Sequence, residues 1–274
     1  SPKTPPPLTP ETLKLLLATF DRALPDTTRY AVSGHAALMV WGYYYYSPRN
    51  TTPSHVSIVC PAADRDVILT RARAVGWSVS YPYRGDGEVV ISGVPVPVLG
   101  LTGEEEVVVW GVIRLRVVRD GEGGVWGRLG WVRPVEMVAG TTTTSIGMES
   151  SVCWVWTEAP VMGVPTLLDE FARAWYFCVV KKRGRGDGGG EREKRIGEMI
   201  LWCLWRLAED AEVNGGEGRW KWTPRDVPCL VYGKFWYTFV RRYPWALGLL
   251  EMVGLSGPGF AIRKQAATVA SGDT

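Results

Sequence analysis

The apolar residues of this chain repeat with two different periods, and the change from one to the other constrains the fold more than any other feature. Over residues 106–119, Ile113, Leu115 and Val117 alternate with Arg114 and Arg116. Period two sends successive side chains to opposite faces, so this stretch reads as a half-buried strand. From residue 166 the period becomes that of a helix. Leu167, Leu168, Phe171, Ala174, Trp175, Cys178 and Val179 share one face over residues 166–181. Ile196, Met199, Ile200, Cys203 and Leu207 share another over residues 191–210. A sheet-forming part therefore precedes a helical part.

A helix also opens the chain. Thr9 suits the N-cap, Pro10 the first helical position, and Glu11 the positive helix end. Leu13, Leu16, Leu17, Phe20 and Leu24 fall on one apolar stripe, and Pro25 ends it. Short strands are expected at 29–32, 55–60, 77–81, 88–91 and 94–101, the last demoted to an edge by Pro95 and Pro97. Helices are expected at 36–41 and 64–75, with Asp64 and Asp66 in the first turn of the second. The helical region continues over 228–242 and 244–252. Residues 1–7 read as a Pro-rich disordered lead and 256–274 as a loose tail, which leaves an α/β core at 8–160 and a helical region at 161–255.

Composition supports this plan and narrows the class. Apolar residues make up 46% and charged residues 22% of the 274, enough to fold around a core. A net charge of +3 is too mild to imply a nucleic-acid binder by itself. No apolar run approaches the ~20 residues that span a bilayer. Residues 1–10 lack the apolar stretch of a signal peptide, and the numbering is compatible with a start inside a longer gene product. The five cysteines, Cys60, Cys153, Cys178, Cys203 and Cys229, are odd in number, widely spaced and mostly in apolar surroundings. They read as reduced buried thiols, which places the chain inside the cell, in cytoplasm or nucleus. The two histidines, His35 and His55, have no zinc-site spacing to the cysteines.

Residues 29–38, RYAVSGHAAL, combine an apolar strand, a Ser-Gly turn and a helix of small residues. In this they resemble the opening strand–turn–helix of the nucleotidyltransferase superfamily, the polymerase-β-like fold. The resemblance spans about residues 8–255. It implies an α+β fold, with a small mixed sheet flanked by helices and a helical C-terminal region. It implies that Ser33, Gly34 and His35 form the turn where nucleotide phosphates approach the backbone. The family's next strand carries an Asp-x-Asp pair that holds divalent ions, usually Mg²⁺, and the aligned positions here are His55 and Ser57. A third carboxylate belongs on a later strand, and the best match is 94–98, VPVPV, with Pro95 and Pro97 on the relevant face. None of these positions supplies a hard anionic oxygen, so the resemblance implies a degenerate metal site and no cofactor.

Other carboxylates have simpler explanations. Asp64 and Asp66 begin a helix, where i and i+2 point apart, and their charge suits the helix start. Tyr43, Tyr44, Tyr45 and Tyr46 form an aromatic stretch suited to packing, protein contact or base stacking. Lys181, Lys182, Arg183 and Arg185 form a basic link, either solvated or anion-binding. Among fourteen tryptophans, Trp202 and Trp205 lie beside the stripe of the second long helix and are candidates for a partner surface. The preferred function is a catalytically inactive nucleotidyltransferase-fold protein that binds a protein partner or acts as a scaffold. Two alternatives stay open: an active Mg-dependent nucleotidyltransferase acting on protein, RNA or a small molecule, and a metal-independent nucleotide or RNA binder.

Overall fold

A computed structural model of the chain describes residues 9–43, 54–81, 88–99, 106–118, 131–132, 159–181, 189–213 and 233–253. The chain forms two compact units, Ser1–Gly163 and Val164–Thr274.

The first unit begins with α1 (Pro10–Ala23). The Thr9 hydroxyl accepts the Thr12 amide at 3.2 Å, so one of the free donors of the first turn is satisfied. Leu13, Leu16, Leu17 and Phe20 are fully buried, as their spacing dictates. The Phe20 ring meets the Tyr30 ring edge-on at 5.4 Å and stacks on Trp77 at 6.1 Å. Tyr30 donates its hydroxyl to Asp21. The helix ends where Leu24 turns to an extended conformation before Pro25.

The chain then forms β1 (Ala31–Ser33), α2 (Gly34–Val40), β2 (Val56–Pro61), α3 (Ala62–Ala74), β3 (Ser78–Ser80), β4 (Glu88–Leu99), β5 (Glu106–Val118), β6 (Trp131–Val132) and β7 (Val161–Met162). Together the strands make one seven-stranded mixed sheet in the order β3-β4-β5-β2-β1-β7-β6. β1 is antiparallel to β2, β2 is parallel to β5, and β5 is antiparallel to β4. The parallel pair is joined through α3, β3 and β4. The architecture is thus a mixed sheet flanked by helices, followed by a helical region. Among the described residues no helix is long and apolar enough to cross a membrane.

Alternation decides which strand residues meet helices. Val56 and Ile58 of β2, Val89 and Ile91 of β4, and Ile113 and Leu115 of β5 are all buried. α1 packs on β4, and α3 packs on β2, β3 and β5. Gly111 belongs to this inner face. A Cβ there would lie 2.5 Å from Leu16 Cδ1, so the missing side chain lets α1 approach the sheet. The Trp41 indole donates to the Met162 carbonyl at 2.9 Å and ties the end of α2 to β7.

Two expected strands, 88–91 and 94–101, are one strand. A bulge between Ser92 and Val94 absorbs the change of phase, and Gly93 takes the positive φ of +78° that it needs. Past the bulge, residues 94–99 pair with 106–111 of β5, whereas β3 pairs only with 90–92. Pro95 and Pro97 therefore sit in the part of β4 that is laddered on one side among the described residues, as their missing N–H groups require.

The second unit contains α4 (Val164–Lys181), α5 (Gly189–Val213), α6 (Gly233–Arg242) and α7 (Ala246–Met252). α4 packs along α5, and α5 along α7. Trp175 of α4 meets Phe235 and Phe239 of α6 edge-on at 5.7 and 5.0 Å, and Trp236 is fully buried beside them. Edge-to-face contacts of this kind stabilise beyond the burial of area alone. Gly197 of α5 leaves the room that the Tyr243 ring occupies, and burial pushes the Tyr243 phenol above its ordinary pKa.

Candidate functional site

The turn between β1 and α2 anchors the site. Gly34 has φ +61°, a conformation that residues with a Cβ adopt at a cost. Its open side faces β2: a Cβ on Gly34 would lie 3.6 Å from both Cβ and Oγ of Ser57. Ser33 is 2% exposed, and its hydroxyl does not cap α2. His35 is half-buried, with its ring 5.6 Å from that of Tyr43.

Register extends the site across the sheet. Ser33 of β1 is opposite Ser57 of β2, and Ser57 is opposite Arg114 of β5. Val90 of β4 and Ser80 of β3 continue the line. Residues opposite one another share a face, so Ser33, Ser57 and Arg114 form one row over three adjacent strands spaced ~4.8 Å apart. This face lies opposite the one that carries Ile58, Ile113 and Leu115. His55, just before β2, is two residues from Ser57. Burial and then the Arg114 charge push its imidazole below the ordinary pKa. Arg114 Nε lies 3.8 Å from Glu88 Oε1, a long and partly exposed contact. Arg116 follows on the same face, opposite Glu88.

β5 lies between β2 and β4, the strand that carries residues 94–98. The residue opposite Ser57 is therefore Arg114, and Pro95 and Pro97 lie opposite Trp110 and Val108. The alternation of 106–119 marks Arg114 as outward-facing. Nothing in that pattern says that its strand pairs with β2.

The partner-surface candidates differ in burial. Tyr43 is 2% exposed and packs against His35, and Trp202 is 6% exposed. Both rings are committed to their own units, as large aromatics with many apolar neighbours tend to be. Trp205 is half-buried. Tyr44, Tyr45, Tyr46, Lys182, Arg183 and Arg185 lie outside the described residues, and Lys181 is the last residue of α4. A different aromatic is exposed: Trp110 is 60% and Val108 48% accessible, on the face of β5 that carries Arg114.

Asp64 belongs to a structural ion pair. Arg29 Nε donates to its Oδ2 at 2.9 Å, which joins the start of α3 to the segment before β1. Cys60 is buried in β2, and its thiol is pushed up to about 12, first by burial and then by Asp64. Burial likewise raises the Cys203 thiol. Neither is a nucleophile at neutral pH. Among the described residues there is no group of three or more His, Cys, Asp or Glu side chains placed to share a metal ion.

Comparison of the chain with protein-family models, with curated proteins and with solved structures finds no match.

Proposed function

We propose that this chain is a non-catalytic protein of nucleotidyltransferase type that works as a protein-binding module. The observation that carries the reading is the register of Ser57 opposite Arg114. A two-metal site needs carboxylates on neighbouring strands to offset the charge of the ions. Here the aligned pair is His55 and Ser57, and the neighbouring strand presents a guanidinium. The local charge has the wrong sign for a divalent cation. The order β1-β2-β5, with a Ser-Gly turn leading into α2, supports the type of fold.

The contact surface in this reading is the outer face of β5 around Val108 and Trp110, an exposed aliphatic–aromatic pair on the β4–β5 ribbon. Two measurements test it. Calorimetry and transfer assays with ATP, GTP, CTP and UTP are run with and without Mg²⁺; Mg-dependent binding or turnover overturns the non-catalytic part. A photo-crosslinking residue at position 110 is expected to give a defined protein adduct in cells. No adduct, or the same adducts from a probe at exposed Val75, overturns the contact surface.

A further inference from the structure

We propose that Tyr81 is a phosphorylation site whose phosphate is received by Arg73 and Arg65 of α3. The proposal rests on side-chain contacts where α3 meets β3. It is independent of the reading of Ser57 and Arg114 and of the contact surface at Trp110.

Tyr81 directly follows β3, which packs beside α3. Among the tyrosines with described side chains it alone is exposed. Tyr30 and Tyr43 are buried and Tyr176 and Tyr243 half-buried, whereas Tyr81 is 53% accessible. A kinase must reach the phenol, so of these rings Tyr81 is the one open to modification. Two guanidinium groups converge on it. Arg73 donates from Nη2 to the Tyr81 hydroxyl at 3.1 Å, and the Arg65 guanidinium stands over the ring, 5.9 Å from its centroid.

The charge at this corner is not balanced. Among the described residues neither Arg65 nor Arg73 has a carboxylate partner, and Arg65 Nε is buried without an acceptor. Asp64, beside Arg65 in sequence, is held by Arg29 at 2.9 Å, and Asp66 is exposed. A neutral phenol offers the two cations only a hydroxyl lone pair and a ring face, both weak partners at an exposed position. A phosphate on the same oxygen brings nearly two negative charges and three strong acceptors. Guanidinium forks match those oxygens in charge-assisted hydrogen bonds. The phosphoryl group comes from ATP by way of a tyrosine kinase. The bond from Tyr81 Oη to the γ-phosphorus forms, the bond from that phosphorus to the bridging oxygen breaks, ADP leaves, and the phenolic proton passes to the kinase base. The product ties the chain after β3 to α3.

The test compares the full chain carrying phosphotyrosine at position 81 with the unmodified chain. A ³¹P NMR titration should place the second phosphate pKa about half a pH unit or more below that of a phosphotyrosine peptide, because both cations favour the dianion. Arg73→Gln should remove most of this lowering, Arg65→Gln part of it, and Arg71→Gln, on exposed α3 surface, none. Circular dichroism establishes that each variant is folded. The modified chain should melt a few degrees above the unmodified one. A peptide-like phosphate pKa, or a lowering that survives loss of both Arg65 and Arg73, overturns the docking. Phosphopeptide mapping of the chain from cells treated with a phosphatase inhibitor should find phosphate on Tyr81. Its absence there, or phosphate on Tyr83 in its place, overturns the modification. Phenyl phosphate titrated into the unmodified chain distinguishes an external source. No saturable binding is expected, and saturable binding abolished by Arg73→Gln would assign the two cations to a separate ligand and overturn the proposal.

Discussion

Ser57 and Arg114 occupy the same cross-strand position on the parallel neighbours β2 and β5. One neutral hydroxyl-bearing residue and one fixed cation thus stand side by side on this face. The same register brings Arg114 to bear on His55.

Stability should depend on pH through His55. Its folded-state pKa lies below 6.5, chiefly from burial and then from Arg114, so the unfolded chain takes up a proton first as pH falls. The contribution of neutral His55 is complete above 6.5 and is lost as pH drops from there through the lowered folded value. Urea midpoints between about pH 8 and pH 5 should fall in this window, and His55→Gln should flatten the slope. An unchanged slope in the variant would refute the assignment.

Gly34→Ala should destabilise by about 1–2 kcal/mol, from backbone strain alone, because a non-glycine residue is forced into the left-handed region. The new methyl would be at an ordinary 3.6 Å from Ser57 and adds no clash. Gly34→Asn should cost less than Gly34→Ala, since asparagine tolerates this region. Thermal unfolding of the pair distinguishes strain from crowding: a larger loss for Asn would indicate crowding.

At Gly111 the order of causes reverses. A methyl there meets the end of the Leu16 side chain at 2.5 Å, and Leu16 is fully buried, with little room to turn aside. Gly111→Ala should cost about 1–3 kcal/mol, the usual penalty of overpacking. Pairing it with Leu16→Ala should recover part of that loss, seen as a favourable coupling in a double-mutant cycle. Additive losses would show that the two residues do not meet.

Thr9→Ala removes the acceptor of the Thr12 amide and should lower stability by about 1 kcal/mol, while Thr9→Ser should be close to neutral. Denaturant midpoints with unchanged m-values are the expected signature.

Thiol labelling should separate the cysteines of known burial. Cys178 is half-buried, whereas Cys60 and Cys203 are buried with raised pKa values, that of Cys60 about 12. In the native protein at neutral pH, mass mapping after brief maleimide treatment should find Cys178 modified well before the other two. Early modification of Cys60 would contradict the packing of β2.

Local patterns made much of this fold legible. The Thr9-Pro10-Glu11 start and the leucine stripe give α1, because a cap and an amphipathic face are short-range properties. The alternation of Ile113, Leu115 and Val117 with Arg114 and Arg116 gives β5 and its two faces. The joining of 88–91 and 94–101 was hidden, since a glycine between two strand patterns reads as a break, and only the register of the opposite strand reveals a bulge. The site was half legible for a related reason. The turn at Ser33-Gly34 and the positions His55 and Ser57 lie close in sequence. Arg114 reaches them through a crossover of three elements, and the choice of neighbouring strand is a long-range outcome that periodicity does not encode. Trp110 was overlooked because it stands among valines, where an outward-facing residue looks like one more core position.

Pro95 and Pro97 give the outer rim of the β4–β5 ribbon two ring nitrogens that cannot donate. A foreign strand approaching from that direction finds no continuous ladder to extend. Among the described residues, Trp110 thus stands exposed on a two-stranded stretch whose proline-bearing side is a poor seed for fibre growth.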